Sequence, residues 1–111
     1  MVNAKKKGNA YEVKIAAEFR NLGFPDAVTS RSESKSTDDK GVDLCGTFPL
    51  NVQCKAWERA PLYHDVLRSM PEDGINVIFH KKNRKGEVVV MAKDDFYDIL
   101  RVLYKLWQDS K

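Results

Sequence analysis

From Asn9 to about Leu22 the apolar residues Tyr11, Ile15, Phe19 and Leu22 recur at helical spacing, and Gly23 follows as a stop. The spacing predicts a first helix there. Ala27 to Ser30 is a short strand candidate, and the polar segment SRSESKSTDDKG reads as a loop. Val42 to Thr47 and Leu50 to Ala56 are short apolar-rich runs joined across Phe48-Pro49, the pattern of a hairpin. Pro61 opens a second helix to about Met70, closed by Pro71 and Gly74. INVIFH, residues 75 to 80, is a strand; NRKG turns the chain, and EVVVMA, residues 87 to 92, pairs back. Asp94 or Asp95 caps a last helix running to about Gln108. The order is helix, three strands, helix, two strands, helix: an α/β layer with a small mixed central sheet flanked by helices.

The last helix carries two apolar stripes. Phe96, Leu100, Leu103 and Trp107 make one, and Ile99, Val102 and Leu106 the other, with Tyr97 and Tyr104 between. One stripe is enough to dock a surface helix. The second implies either another subunit, giving a homodimer, or a helix wedged between the sheet and the first helix.

A chain of 111 residues is the size of one domain, residues 1–111. Hydrophobic residues at 42% and charged residues at 32% exclude a disordered chain. No apolar run nears the roughly 20 residues that span a bilayer, and MVNAKKKGNA lacks a signal peptide's apolar stretch. With only Cys45 and Cys54, reduced thiols in a cytoplasmic protein are the expectation, and two Cys do not complete a zinc site. Net charge is only +3, so its distribution says more: Lys5, Lys6 and Lys7 form one basic cluster, and Lys81, Lys82, Arg84 and Lys85 another. Both suit a polyanion, and both equally suit solvated tails and turns.

Within GVDLCGTFPLNVQCKAW, strand alternation puts Gln53 and Lys55 on one face, where a hairpin brings them to Asp43. Asp43 offers an anionic oxygen and Gln53 a neutral one, both suited to Mg²⁺. A compact charge at Lys55 can hold an attacking water or offset charge on phosphate. The plain alternative is a buried Asp43–Lys55 ion pair. Trp57 packs over the hairpin or stacks on a base, and Tyr63 and His64 stay outside the site.

Asp43, a hairpin and Gln53-x-Lys55 after one helix resemble the PD-(D/E)xK nuclease superfamily, and the element order is similar to its restriction-endonuclease-like αβββαβ core. GVDLCGTFPLNVQCKAW is similar to the Mrr-type restriction endonuclease signature, in which Gly-(Ile/Val)-Asp is followed by Val-Gln-Cys-Lys and Gln is normal. KKKGNAYEVKIAAEFRNLGF is similar to the archaeal-type Holliday junction resolvases, which carry Lys-Gly-x-x-x-Glu on helix one; Gly8 and Glu12 fall on those positions. Arg31-Ser32 resembles the Arg-Ser that ends their first strand. Two departures stand beside this. Those resolvases carry Glu at the position of Gln53 and a shorter loop before the Asp, and Mrr-type enzymes attach a separate DNA-recognition domain.

The resemblance implies a Mg²⁺-dependent endonuclease (Mn²⁺ as substitute) that hydrolyses DNA phosphodiesters, on branched DNA or four-way junctions, as a dimer through the last helix. It makes Asp43 the central metal ligand, Gln53 the second and the carbonyl of Cys54 a third. Lys55 orients the attacking water, and Glu12 binds metal directly or through water, with Glu18 the competing acid on the same helix. Lys5, Lys6, Lys7, Arg31, Ser32, Lys35 and Lys40 are the expected DNA-binding residues. The alternatives are an Mrr-like nuclease on linear or single-stranded DNA, a non-catalytic DNA-binding module, and a structural subunit with an internal Asp43–Lys55 pair.

Overall fold

The computed structural model describes residues 4–33 and 41–111. Its elements are α1 (Ala4–Asn21), β1 (Val28–Thr29), α2 (Ser30–Glu33), β2 (Leu44–Cys45), β3 (Leu50–Lys55), α3 (Tyr63–Ser69), β4 (Ile75–Lys82), β5 (Gly86–Met91) and α4 (Lys93–Asp109). β3, β4 and β5 form a mixed three-stranded sheet in that order, with β3–β4 parallel and β4–β5 antiparallel. β1 and β2 form a separate antiparallel pair. The small mixed α/β layer expected from the sequence is present. No helix among the described residues is long and apolar enough to cross a membrane.

The core lies between α1 and one face of the sheet. Tyr11, Ile15, Ala16 and Phe19 come round on one side of α1 and pack on Val52, Cys54 and Val77, with Ala27 and Leu44 at one end. Burying side chains such as Ile15, Leu44 and Val52 contributes roughly 1.5–3 kcal/mol each. Phe19 meets Phe24 and Phe79 with ring centroids 5.3 and 5.7 Å apart, a geometry that favours aromatic pairs. Leu22 departs from the expected stripe: α1 ends at Asn21, Gly23 reverses the chain at φ 109°, and Phe24 enters the core in its place.

The expected hairpin between the runs at 42–47 and 50–56 is not a ladder. β2 pairs with β1, aligning Val28 with Cys45 and Thr29 with Leu44. The cause lies at Gly46, which has φ 78° and sits so close to Asp26 that an added Cβ would fall 2.3 Å from its carbonyl oxygen. That approach draws β2 toward β1. To β3 it leaves isolated backbone hydrogen bonds, from Asp43 N–H to Val52 O at 2.7 Å and from Leu50 N–H to Thr47 O at 2.8 Å.

The last helix differs from both its predicted cap and its wedged alternative. Its N-cap is Ala92, without a side-chain cap; Asp94 and Asp95 lie in the first turn, where negative charge suits the helix dipole. No residue of α4 is buried, so it is not wedged between sheet and α1. The molecule measures 53 × 27 × 27 Å.

Candidate active site

β3 sorts the candidate residues by alternation. Val52 and Cys54 turn into the core under α1, so Gln53 and Lys55 belong to the opposite face. Parallel pairing places Gln53 beside Ile78 and Lys55 beside His80. α3 packs against β4, and the residues of this face are largely withdrawn from solvent: Ile78, His80 and Gln53 are all buried.

Asp43 ties this strand to the rest of the fold. Its N–H donates to Val52 O at 2.7 Å, its C=O accepts from Ser30 N–H at 2.8 Å, and its Oδ2 accepts from Cys54 N–H at 2.7 Å. β3 is an edge strand, so Cys54 N–H has no ladder partner on its outer side. The carboxylate fills that place, and a hydrogen bond to a charged acceptor is the stronger kind. Ser30, fully buried, holds the adjoining turn by donating from Oγ to Val42 O at 2.6 Å.

Glu12 is the enclosed acid of α1. Its side chain is 12% exposed, against 50% for Glu18, which faces Lys14 at 4.0 Å. Arg31, on the short helical turn α2, donates from Nε to Glu12 Oε1 at 2.9 Å. Ser32 beside it donates from Oγ to Thr29 O at 2.8 Å. Arg31 thus ties α2 to α1, and Ser32 ties it to β1.

Three charged groups act on one residue of β3. Burial pushes the Cys54 thiol well above its ordinary value; the charges of Asp43 and then Glu12 push it further, and Lys55 opposes them. Of these groups Asp43 is in direct contact, through the Cys54 N–H. The thiol itself, buried and held protonated, is an inert structural group and not a nucleophile.

Gln53 faces a space that only glycine leaves open. A Cβ on Gly41, which has φ 78°, would sit 3.2 Å from Gln53 Oε1. The donor set of two carboxylates, an amide oxygen and a backbone carbonyl fits a hard cation that keeps part of its water shell. Among the described residues no three His, Cys, Asp or Glu side chains form a metal group.

Among the described residues, no salt bridge joins Asp43 to Lys55. The Lys55 ammonium lies 4.3 Å from the centroid of the Trp57 ring, within cation–π range. The backbone of Trp57 is fixed in turn: its carbonyl accepts from His80 Nε2 at 2.7 Å, and His80 Nδ1 meets the Tyr63 hydroxyl at 3.0 Å. With Nε2–H donating to a carbonyl, a neutral ring has Nδ1 as acceptor for Tyr63 O–H. Sequence reasoning passed over His80, although its register with Lys55 is the signal that finds it. β4 continues past His80 to Lys82, so the basic turn holding Arg84 and Lys85 lies at the same end of the sheet as Lys55. Lys5, Lys6 and Lys7 fall in the first two turns of α1, whereas Lys35 and Lys40 lie outside the described residues.

No family model, curated protein or solved structure matches this chain.

Proposed function

We propose that the chain is a metal-dependent DNA endonuclease of restriction-endonuclease-like architecture, hydrolysing phosphodiester bonds with a preference for branched DNA. One observation carries the reading: Asp43 Oδ2 accepts from the N–H of Cys54, the residue between Gln53 and Lys55 on the edge strand β3. A decayed site is expected to have lost a member, and this one retains Glu12, Asp43, Gln53 and Lys55.

Asp43, Gln53, Glu12 and the carbonyl of Cys54 would hold Mg²⁺ or Mn²⁺. When bound, such an ion supplies a water of lowered pKa and stabilises the leaving oxygen. The chain's own residues do the rest. Gln53 contributes an oxygen without adding negative charge beside phosphate. Lys55 leaves the Trp57 ring to orient the attacking water and offset charge on the phosphoryl group. Arg31 holds Glu12 in place through their ion pair. The basic turn at residues 81–85 and the lysines of α1 contact phosphates, which positions DNA without reading its sequence.

A second reading, a non-catalytic DNA-binding module, draws support from the same Arg31–Glu12 pair, which occupies one acid. Incubating the protein with a four-way junction, linear duplex and single strands, in Mg²⁺ or EDTA, separates the two. Cleavage in Mg²⁺, most rapid on the junction, is the expected result. Salt-sensitive binding without cleavage under any condition favours the module.

A further inference from the structure

The Lys55 ammonium and the Trp57 ring meet at the end of β3. Lys55 Nζ lies 4.3 Å from the ring centroid, and Trp57 is 49% exposed. Its backbone is pinned: buried His80 donates from Nε2 to the Trp57 carbonyl at 2.7 Å and meets the Tyr63 hydroxyl at 3.0 Å. The next residue fastens the segment a second time. Glu58 Oε1 accepts from the N–H of Asn83 at 3.3 Å, inside the basic turn of Lys82, Arg84 and Lys85. A half-exposed indole on a pinned backbone thus stands next to both the candidate site and a cluster of exposed cations.

We propose that Trp57 is a base-stacking residue, and that an unpaired DNA base arriving on its ring displaces Lys55 into the candidate site. The inference rests on the nuclease reading and adds to it the feature of DNA that switches the lysine. Magnitudes decide the exchange. A lysine over an exposed aromatic ring is worth roughly two- to fivefold in an equilibrium constant. A base on the same ring is worth roughly five- to 150-fold. The base therefore wins the ring. Lys55 is released beside Cys54, whose N–H donates to the Asp43 carboxylate.

The same exchange selects the DNA. In a duplex each base face is covered by its neighbours, and the cost of drawing one out has to be offset before stacking gains anything. Single strands, gaps and branch points present bases whose faces are already free. Exposed Lys82, Arg84 and Lys85 hold the flanking phosphates. Cations along the backbone with an aromatic platform for the base bind single strands with little regard to sequence. Linear duplex lacks the base that moves Lys55, so the lysine stays on Trp57.

A test without metal separates this from cleavage. Trp107→Phe leaves Trp57 as the single tryptophan of the chain. In EDTA and low salt, an oligothymidylate of about eight nucleotides should quench its fluorescence and bind about tenfold more tightly than an abasic strand of equal length and charge. In Trp57→Ala, with binding read by the anisotropy of labelled strands, that preference should shrink to about twofold or less. Absence of quenching, or an unchanged preference in Trp57→Ala, overturns the proposal. The lysine is followed by NMR in protein labelled with ¹³C-lysine. The Lys55 ε-methylene signal, assigned by its loss in Lys55→Arg, should start upfield under the Trp57 ring current. On adding oligothymidylate it should move toward its position in Trp57→Ala. A signal that stays upfield while the fluorescence is quenched overturns the exchange. Cleavage without stacking sinks this inference and leaves the nuclease reading standing. Stacking and lysine release without cleavage of any substrate bear out the inference and overturn only that reading.

Discussion

The backbone N–H of Cys54 donates to Asp43 Oδ2 at 2.7 Å, so one carboxylate both satisfies the edge of β3 and stands at the centre of the candidate metal site. The two roles separate by substitution. Asp43→Ala leaves the buried Cys54 N–H unpaired and should cost about 1–3 kcal/mol in urea unfolding. Asp43→Asn keeps an oxygen acceptor and should stay within about 1 kcal/mol of the native protein. Equal stability of the two variants contradicts the tie between Asp43 and β3.

Gly41 and Gln53 are linked through space. Gly41→Ala places a methyl group 3.2 Å from Gln53 Oε1 at a backbone with φ 78°. The left-handed conformation costs about 1–2 kcal/mol, and the contact shifts the amide. Mg²⁺ affinity by titration calorimetry should fall several-fold in this variant. Gln53→Glu should retain metal binding and cleavage, and Gln53→Ala should lose both. Matching activities in the two Gln53 variants count against its role as a ligand.

Tyr11 gives a prediction about pH. Its hydroxyl is buried and meets no hydrogen-bond partner of ordinary geometry among the described residues; burial, and then a strained approach to the Glu87 carboxylate, hold its pKa up. Tyr11→Phe removes an unsatisfied polar atom and should stabilise the protein by up to about 1 kcal/mol at neutral pH. Burial raises both Tyr11 and Cys54 above their ordinary values of 10.0 and 9.0. A folded-state pKa above the unfolded one means a contribution fully present below the unfolded value and lost as pH rises beyond it. Thermal melts should therefore weaken above about pH 9, and Tyr11→Phe should flatten the fall above pH 10. A melting temperature level to pH 11 contradicts this account.

The sequence announced its longer-range regularities and concealed its close contacts. Tyr11, Ile15 and Phe19 of α1 and the alternation of β3 predict where those elements bury themselves, because period and burial are linked. Leu22 fits the helical period yet lies outside the core, since Gly23 turns the chain one residue later. β2 is too short to carry a period, and its pairing with β1 depends on the approach of Gly46 to Asp26. The Arg31–Glu12 contact depends on α2, a four-residue turn inside a stretch whose polarity reads as loop. In α4 the excess of apolar surface was legible, while its exposure was not: composition does not tell a helix covered by its own chain from one left open.

The proposal rests most directly on Asp43. The measurement is cleavage of a four-way junction in Mg²⁺ by the native protein and by Asp43→Asn, with circular dichroism and urea unfolding run on the same samples. The account predicts that the native protein cleaves, that EDTA abolishes cleavage, and that Asp43→Asn loses at least about 100-fold in rate, a barrier increase of about 2.7 kcal/mol, while remaining folded. A folded Asp43→Asn variant that cleaves at the native rate contradicts it.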